Sequence, residues 1–177
     1  MNAPSNVTIR RGSVADAPAL AEFAARTFVE TFGSQNNPDD LQLHLASAYG
    51  VAQQTAELRD PHGTTLLATD GDVLTGYAQI RRGERPSCVP HADAVEVRRF
   101  YVDTPAHGTG LAARLMTEAY AAARELGGRH LWLGVWERNT RGIAFYRKMG
   151  FVDVGSHDFL VGNDRQTDRV LIRSLED

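Results

Sequence analysis

Between Tyr101 and Ala112 the chain reads Tyr-Val-Asp-Thr-Pro-Ala-His-Gly-Thr-Gly-Leu-Ala. A strand-like run ends at Val102, two glycines follow at 108 and 110, and a long helix-patterned stretch begins. The first N–H groups of a helix have no partner inside it. Gly108 and Gly110 let a ligand approach the backbone, so these donors form a cradle for an anion such as a phosphate. The helix dipole adds roughly 0.3–1 kcal/mol to such binding. Three readings compete. A Walker loop needs Gly-Lys-Ser/Thr after its second glycine, and Leu111-Ala112 follows here, which excludes it. A dinucleotide fingerprint wants its glycines close behind the strand and an acid at the end of the next one. Residues 103–106 intervene, and the strand at 130–136 ends without that acid. An ordinary glycine-rich helix entry stays open on this segment alone.

A second segment follows the next strand: Trp136-Glu-Arg-Asn-Thr-Arg-Gly-Ile-Ala-Phe-Tyr-Arg-Lys-Met-Gly-Phe151. With both segments in place, the chain resembles the GNAT superfamily of N-acetyltransferases. The pyrophosphate loop of that family reads Arg/Gln-x-x-Gly-x-Gly/Ala, and residues 107–112 read His-Gly-Thr-Gly-Leu-Ala. Its second signature is an Asn, a helix carrying Ala-x-x-Phe/Tyr-Tyr, and Gly-Phe. Asn139, Phe145, Tyr146, Gly150 and Phe151 stand at those places. One position departs. His107 replaces the usual Arg or Gln, so charge there depends on pH; otherwise backbone N–H groups do the binding and His107 is merely permitted.

The resemblance implies an α/β (α+β) fold. A mixed, mostly antiparallel twisted sheet of six to seven strands would be flanked by about four helices. A central parallel β-α-β unit would bind the cofactor, in a single domain over residues 1–177. It also implies acetyl-coenzyme A as cosubstrate, with no metal. Phe100, Tyr101 and Val102 would line the thioester through the backbone of a splayed strand, with the pantetheine arm adding like a strand. His107, Gly108, Thr109, Gly110, Leu111 and Ala112 would hold the pyrophosphate. Asn139 would bond the arm, besides capping a helix. Tyr146 matches the family's general acid, since a phenol of pKa near 10 is protonated at neutral pH; the alternative is core packing beside Phe145. Glu96 would be the base, acting through water, or else a strand acid that is solvated or paired with Arg98.

The implied reaction is direct attack of a free amine on the thioester, without a covalent enzyme intermediate. The acceptor site would lie against the first two helices and the late strands. Phe28, Glu30, Thr31, Phe32 and Tyr77 are the expected wall, and Glu30 or Asp158 could attract a cationic amine unless solvated. The run Gly-Val-Trp136-Glu-Arg-Asn139 and the ending at 162–168 are similar to polyamine-type acetyltransferases of the superfamily. Amino-acid-like amines and other small amines stay open. The expected partner is a small-molecule amine, with a homodimer by family analogy. A noncatalytic acyl-CoA-binding sensor is the alternative from another class, and a nucleotide-binding protein the weaker third.

The elements that must position these residues are legible. Residues 7–10 read as a strand. Ser13 and Asp16 form a capping box before a helix whose face is Leu20, Phe23, Ala24, Thr27, Phe28 and Thr31. A second helix follows Asp39-Asp40, where acids suit the positive dipole end, and a third piece covers 51–58. Residues 64–69 and 73–81 form a hairpin about Asp70-Gly-Asp72. In the strand at 94–102, Val95 and Val97 share one parity while Phe100 and Val102 share the other. Either both faces are buried, or an extra residue makes a bulge near Arg98-Arg99. A helix at 110–126, a strand at 130–136, a helix from Asn139 to about Met149 and two closing strands complete the order. The unit from 94 to 136 should be parallel and right-handed.

With 177 residues, 42% hydrophobic and 23% charged, the chain suits one globular domain. A net charge of -3 argues against nucleic acid. The six histidines show no paired metal-ligand spacing. The one cysteine, Cys88, sits in a Pro-flanked loop with no evident base and reads as an incidental thiol, so a cytosolic setting is expected. Residues 1–6 show no leader pattern, and no apolar run approaches membrane-spanning length.

Overall fold

The computed structural model describes residues 6–176. The stretch read as lacking a leader pattern lies outside them except for Asn6. Among the described residues seven strands form a single sheet, in the order β1-β2-β3-β4-β5-β7-β6. The strands are β1 (Val7–Arg11), β2 (Gly63–Asp70), β3 (Val73–Arg81), β4 (Ala94–Val102), β5 (His130–Trp136), β6 (Val152–Val161) and β7 (Asp164–Ser174). The helices are α1 (Ala17–Phe32), α2 (Pro38–Ala48), α3 (Val51–Arg59), α4 (Leu111–Glu125) and α5 (Thr140–Lys148). The expected mixed sheet is present with seven strands, and the third helical piece brings the α-helices to five. The Ser13–Asp16 capping box closes a single 3-10 turn before α1 begins at Ala17. Pro18 therefore falls in the first helical turn, where its missing N–H costs nothing.

Only β4 and β5 run parallel, and they pair over three rungs: Ala94–His130, Val95–Leu131 and Glu96–Trp132. Beyond Glu96 the two strands part. The β4 irregularity is a bulge, because Gln79 of β3 faces Arg99 while Ile80 faces Val97, leaving Arg98 as the extra residue. One inserted residue reverses the alternation downstream. Phe100 and Val102 thus join Val95 and Val97 against the cluster of Leu115, Met116, Ala119 and Leu133 that α4 packs into. Tyr101 turns the other way, into the cluster of Leu20, Phe23, Phe28 and Tyr77 under α1.

The bulge is held from the α3 side. Arg99 is 8% exposed. It donates to Glu57, to Gln79 Oε1 at 2.6 Å and to the Ala48 carbonyl at 3.1 Å, and lies 4.9 Å from the Tyr49 ring centre. Arg98 reaches the same Glu57 at 3.3 Å. A buried guanidinium is tolerated only when paired in this way. Glu57→Ala leaves Arg99 uncompensated and is expected to cost about 3–5 kcal/mol of unfolding free energy in a urea titration. A loss below about 1 kcal/mol would show that Gln79 and the Ala48 carbonyl suffice.

Candidate functional site

Where β4 and β5 part, a cleft of about 710 Å³ opens. Val97 and residues 99–102 keep pairs with β3 alone, and residues 133–136 keep pairs with β7 alone. One backbone edge of each strand therefore faces the cleft rather than a neighbour. Phe100, Tyr101 and Val102 line it, as do Leu133 to Trp136 across the gap. The cleft runs from the head of α4 to a chamber beneath α1 and α2.

At the α4 end the backbone supplies the chemistry. Gly108 has φ +77° and Gly110 φ +88°, conformations that side chains disfavour. A β-carbon at either would meet nothing within 4 Å. Their N–H groups find no acceptor among the described residues, and the first turn of α4 adds further free donors. Such a cradle fits a pyrophosphate. Asp103 starts the loop by accepting from Thr104 N–H and from Arg26 of α1 at 2.9 Å, which ties the loop to that helix. His107 does something unforeseen: its Nε2–H donates to the Val102 carbonyl at 2.8 Å, bracing the loop on the end of β4.

Asn139 caps α5 as expected, with its Oδ1 accepting from Gly142 N–H at 2.9 Å. Tyr146 lines the cleft from α5, among Phe100, Phe145 and Phe151. No protein group among the described residues hydrogen-bonds its Oη. Burial holds the phenol well above its ordinary value, so it keeps its proton throughout the physiological range.

The opposite chamber is aromatic. Phe28, Phe32 and Trp136 form one wall, with ring centres 5.0 and 5.9 Å apart in succession. His44 stands between Phe28 at 4.7 Å and Phe159 at 5.7 Å. Burial, with Arg99 nearby, lowers the His44 pKa and favours the neutral ring. Asp168 is 7% exposed, and burial pushes its carboxyl from 3.8 up to about 7. His157 Nε2 is 3.9 Å away.

The structure thus brings Phe28, Thr31, Phe32, Glu96, residues 100–102, His107, Gly108, Gly110, Ala112, Asn139 and Tyr146 to one cleft. It leaves others out. Tyr77 is fully buried between Phe23 and Tyr101, so it belongs to the core rather than the wall. Glu30 points to solvent and pairs with Arg26 at 3.0 Å. Asp158 pairs with Arg165 at 2.8 Å. Leu111 buries its side chain with Val7 and Ala68, and Thr109 Oγ1 donates to the Ala106 carbonyl, so any ligand contact from either is through the backbone. Glu96 pairs with Arg81 at 2.6 Å, not with Arg98. His44, His157 and Asp168 were missed. For Asp168 a signal existed, because alternation sets it in line with the inward Val170 and Ile172. Away from the cleft, His91, Asp93 and His130 converge with ligand-capable atoms within 4.8 Å of one another, a proximity that their sequence spacing hides. No helix among the described residues is long and apolar enough to cross a membrane.

The profile of the Acetyltransferase (GNAT) family matches residues 19–151. An N-acetyltransferase of Lactobacillus delbrueckii subsp. lactis is 30% identical over 172 residues, covering 97% of this chain and 99% of the relative. Among solved structures, the PaiA N-acetyltransferase of Thermoplasma acidophilum, in complex with coenzyme A, superposes with a TM-score of 0.77 at 18% identity. That match covers 96% of this chain and 99% of that one. The yncA protein of Salmonella typhimurium, with acetyl-CoA, gives 0.70 at 23% identity over 98% and 96% of the two chains. The chain belongs to the GNAT acetyltransferase family, whose members use acetyl-CoA as acetyl donor.

Two outcomes follow from this geometry. Gly110→Val forces a branched side chain into a left-handed conformation and sets it in the cradle. Coenzyme A affinity by calorimetry should fall at least tenfold, about 1.4 kcal/mol, in a variant that still melts cooperatively. Asp168 binds its proton more tightly folded than unfolded, so its favourable contribution is complete below pH 4 and is lost as pH rises through 7. Asp168→Asn removes that loss. Its stability relative to the parent should climb by up to about 1.4 kcal/mol per pH unit between pH 4 and 7, then level off. A pH-independent difference in urea midpoints would refute the assignment.

Proposed function

We propose that, with this family membership as premise, the protein moves the acetyl group of acetyl-CoA to the primary amine of a small molecule by direct attack. The observation that carries the reading is the continuity of the cleft, from the Gly108–Gly110 cradle through the β4–β5 gap to the aromatic chamber. Donor and acceptor can enter from opposite sides of the sheet and meet in the gap. Acetyl-CoA supplies an activated carbonyl carbon and a thiolate leaving group. The free N–H groups at Gly108 and Gly110 and the first turn of α4 hold the pyrophosphate. The open edge of residues 100–102 takes the pantetheine arm as an added strand and offers N–H donors to the carbonyl oxygen. Asn139, with Oδ1 committed to Gly142, has its side-chain NH2 left for the arm.

Tyr146 is the acid of this reading. Its raised pKa makes full proton transfer to a thiolate unfavourable early, because a thiol's own pKa is near 8.5. The phenol therefore serves as a fixed hydrogen-bond donor to sulfur as the C–S bond breaks, and keeps its proton while the product leaves as a thiolate that solvent can protonate. Glu96, fixed by Arg81 at the approach to the gap, takes the proton leaving nitrogen through water. His107 acts as a brace for the loop, and the pyrophosphate is left to backbone donors.

A screen of spermidine, amino acids, peptides and aryl amines by thiol release tests the activity, and silence across that panel together with tight coenzyme A binding would favour a sensor. Tyr146→Phe should lower kcat by roughly 10²-fold or more while coenzyme A affinity stays within about twofold. An unchanged kcat would remove Tyr146 from the reaction.

A further inference from the structure

The chamber holds a carboxyl group that the transfer reading leaves without a task. Asp168 sits on one rung with His157 of β6 and Trp136 of β5. Its side chain lines the cleft, and no hydrogen-bond donor among the described residues reaches it. The 3.9 Å gap to His157 Nε2 is too long for a hydrogen bond. His157 Nε2 and His44 Nε2 are themselves buried without a partner. Each such group carries a desolvation cost unless something completes it. Three at one end of one cleft point to a ligand that brings the missing partners.

The chemistry of that ligand can be read from the walls. A β-carbon on Gly134 would come within 2.7 Å of His157 Nε2 and 3.0 Å of Asp168 Oδ2, so the two polar groups converge over a position where β5 carries no side chain. Phe28, Phe32, Trp136 and Phe159 line the same cleft, Trp136 on the rung of Asp168, and aromatic faces attract cations while excluding water. The other acids considered for this role are already paired: Glu30 with Arg26, Asp158 with Arg165 and Glu96 with Arg81.

We propose that Asp168, flanked by His157 inside the aromatic wall, binds the ammonium of the acceptor, and that the acceptor is a primary amine with one positive charge on an apolar or aromatic body. This rests on the acetyl-transfer reading. An ammonium brings three N–H donors. Asp168 takes the charge-assisted one, and His157 Nε2 offers a second acceptor with its own proton on Nδ1; before it attacks, the nitrogen gives up one proton through water to Glu96. Burial holds the Asp168 carboxyl up to about 7, and the bound cation supplies the counter-charge that the chain withholds. A polyamine would carry further cations into a chamber with no other unpaired carboxylate among these candidates. A free amino acid would bring its own carboxylate against Asp168.

The test is amine binding without acetyl-CoA, followed by calorimetry and by tryptophan fluorescence, with 2-phenylethylamine as probe. Uncharged 2-phenylethanol and spermidine serve as comparisons. The parent should prefer 2-phenylethylamine to both, and Asp168→Asn should weaken it at least tenfold, about the effect of losing one charged hydrogen bond. The same variant should leave 2-phenylethanol unchanged. Gly134→Ala, which crowds both polar groups, should weaken the amine as well, while Asp158→Asn should not. In thiol-release assays Asp168→Asn should lower kcat/KM for 2-phenylethylamine tenfold or more, because the nitrogen that Asp168 holds is the one that attacks. Equal amine affinity in parent and Asp168→Asn would overturn the assignment while leaving acetyl transfer intact. Tighter binding of spermidine than of 2-phenylethylamine would overturn the acceptor class. Asp168-dependent amine binding with no thiol release from any amine would instead overturn the transfer reading and leave the binding site standing.

Discussion

The parting of β4 from β5 after three rungs is the constraint on which the molecule depends. Parallel strands normally bury both faces and satisfy every backbone group along the ladder. Here two strands at the centre of the sheet forgo that pairing over half their length, and the groups left over face a cleft. The bulge at Arg98 makes this compatible with a core. It turns Phe100 and Val102 towards α4 and sends Arg99 and Tyr101 to the opposite side. Glu57 then grips both Arg98 and Arg99 from α3. A slip of β4 by one residue would pull a buried arginine away from its carboxylate, so the register that opens the cleft is also the one the charges enforce.

The cleft has two electrostatic characters. At the α4 end the donors are peptide N–H groups, rigid and oriented, which suits a multiply charged anion whose shape is fixed. At the other end the groups are side chains: an acid, two imidazoles and a ring of aromatics. Side chains can be exchanged without moving the backbone, whereas the glycine cradle exists only through its φ angles. The α4 end is thus built into chain geometry, and the aromatic end is painted onto it.

That difference explains what was legible in the sequence. Element order, the α5 cap at Asn139, the paired glycines and the turn at Asp70–Asp72 are local properties, and local patterns expose them. The anomaly in the parity of β4 was visible, but choosing between a bulge and two buried faces required the register with β3. Tyr77 reads as a wall residue from its strand alone, because which face α1 covers is not a local property. Glu30 sits on the right helix and the wrong side of it. Asp168, His157 and His44 come from β7, β6 and α2, and no spacing rule connects them. His91, Asp93 and His130 meet for the same nonlocal reason. Substitution of His for Arg or Gln at 107 was plain in the sequence, yet its consequence, a hydrogen bond to Val102, belongs to the folded loop.

The turn joining β6 to β7 rests on the start of α2. Asn163 N–H donates to Asp40 Oδ1 at 2.8 Å, Gln166 bonds Asn36 at 2.6 Å, and a β-carbon on Gly162 would lie 2.5 Å from the Asp40 carbonyl oxygen. The chamber is thereby closed by a seam between the early and late parts of the chain, remote from the donor loop. Lengthening or shortening that hairpin by a residue or two would resize the chamber without touching the register of β4. The volume of the aromatic end and the geometry of the glycine cradle are therefore set by separate parts of the chain, and one can change without the other.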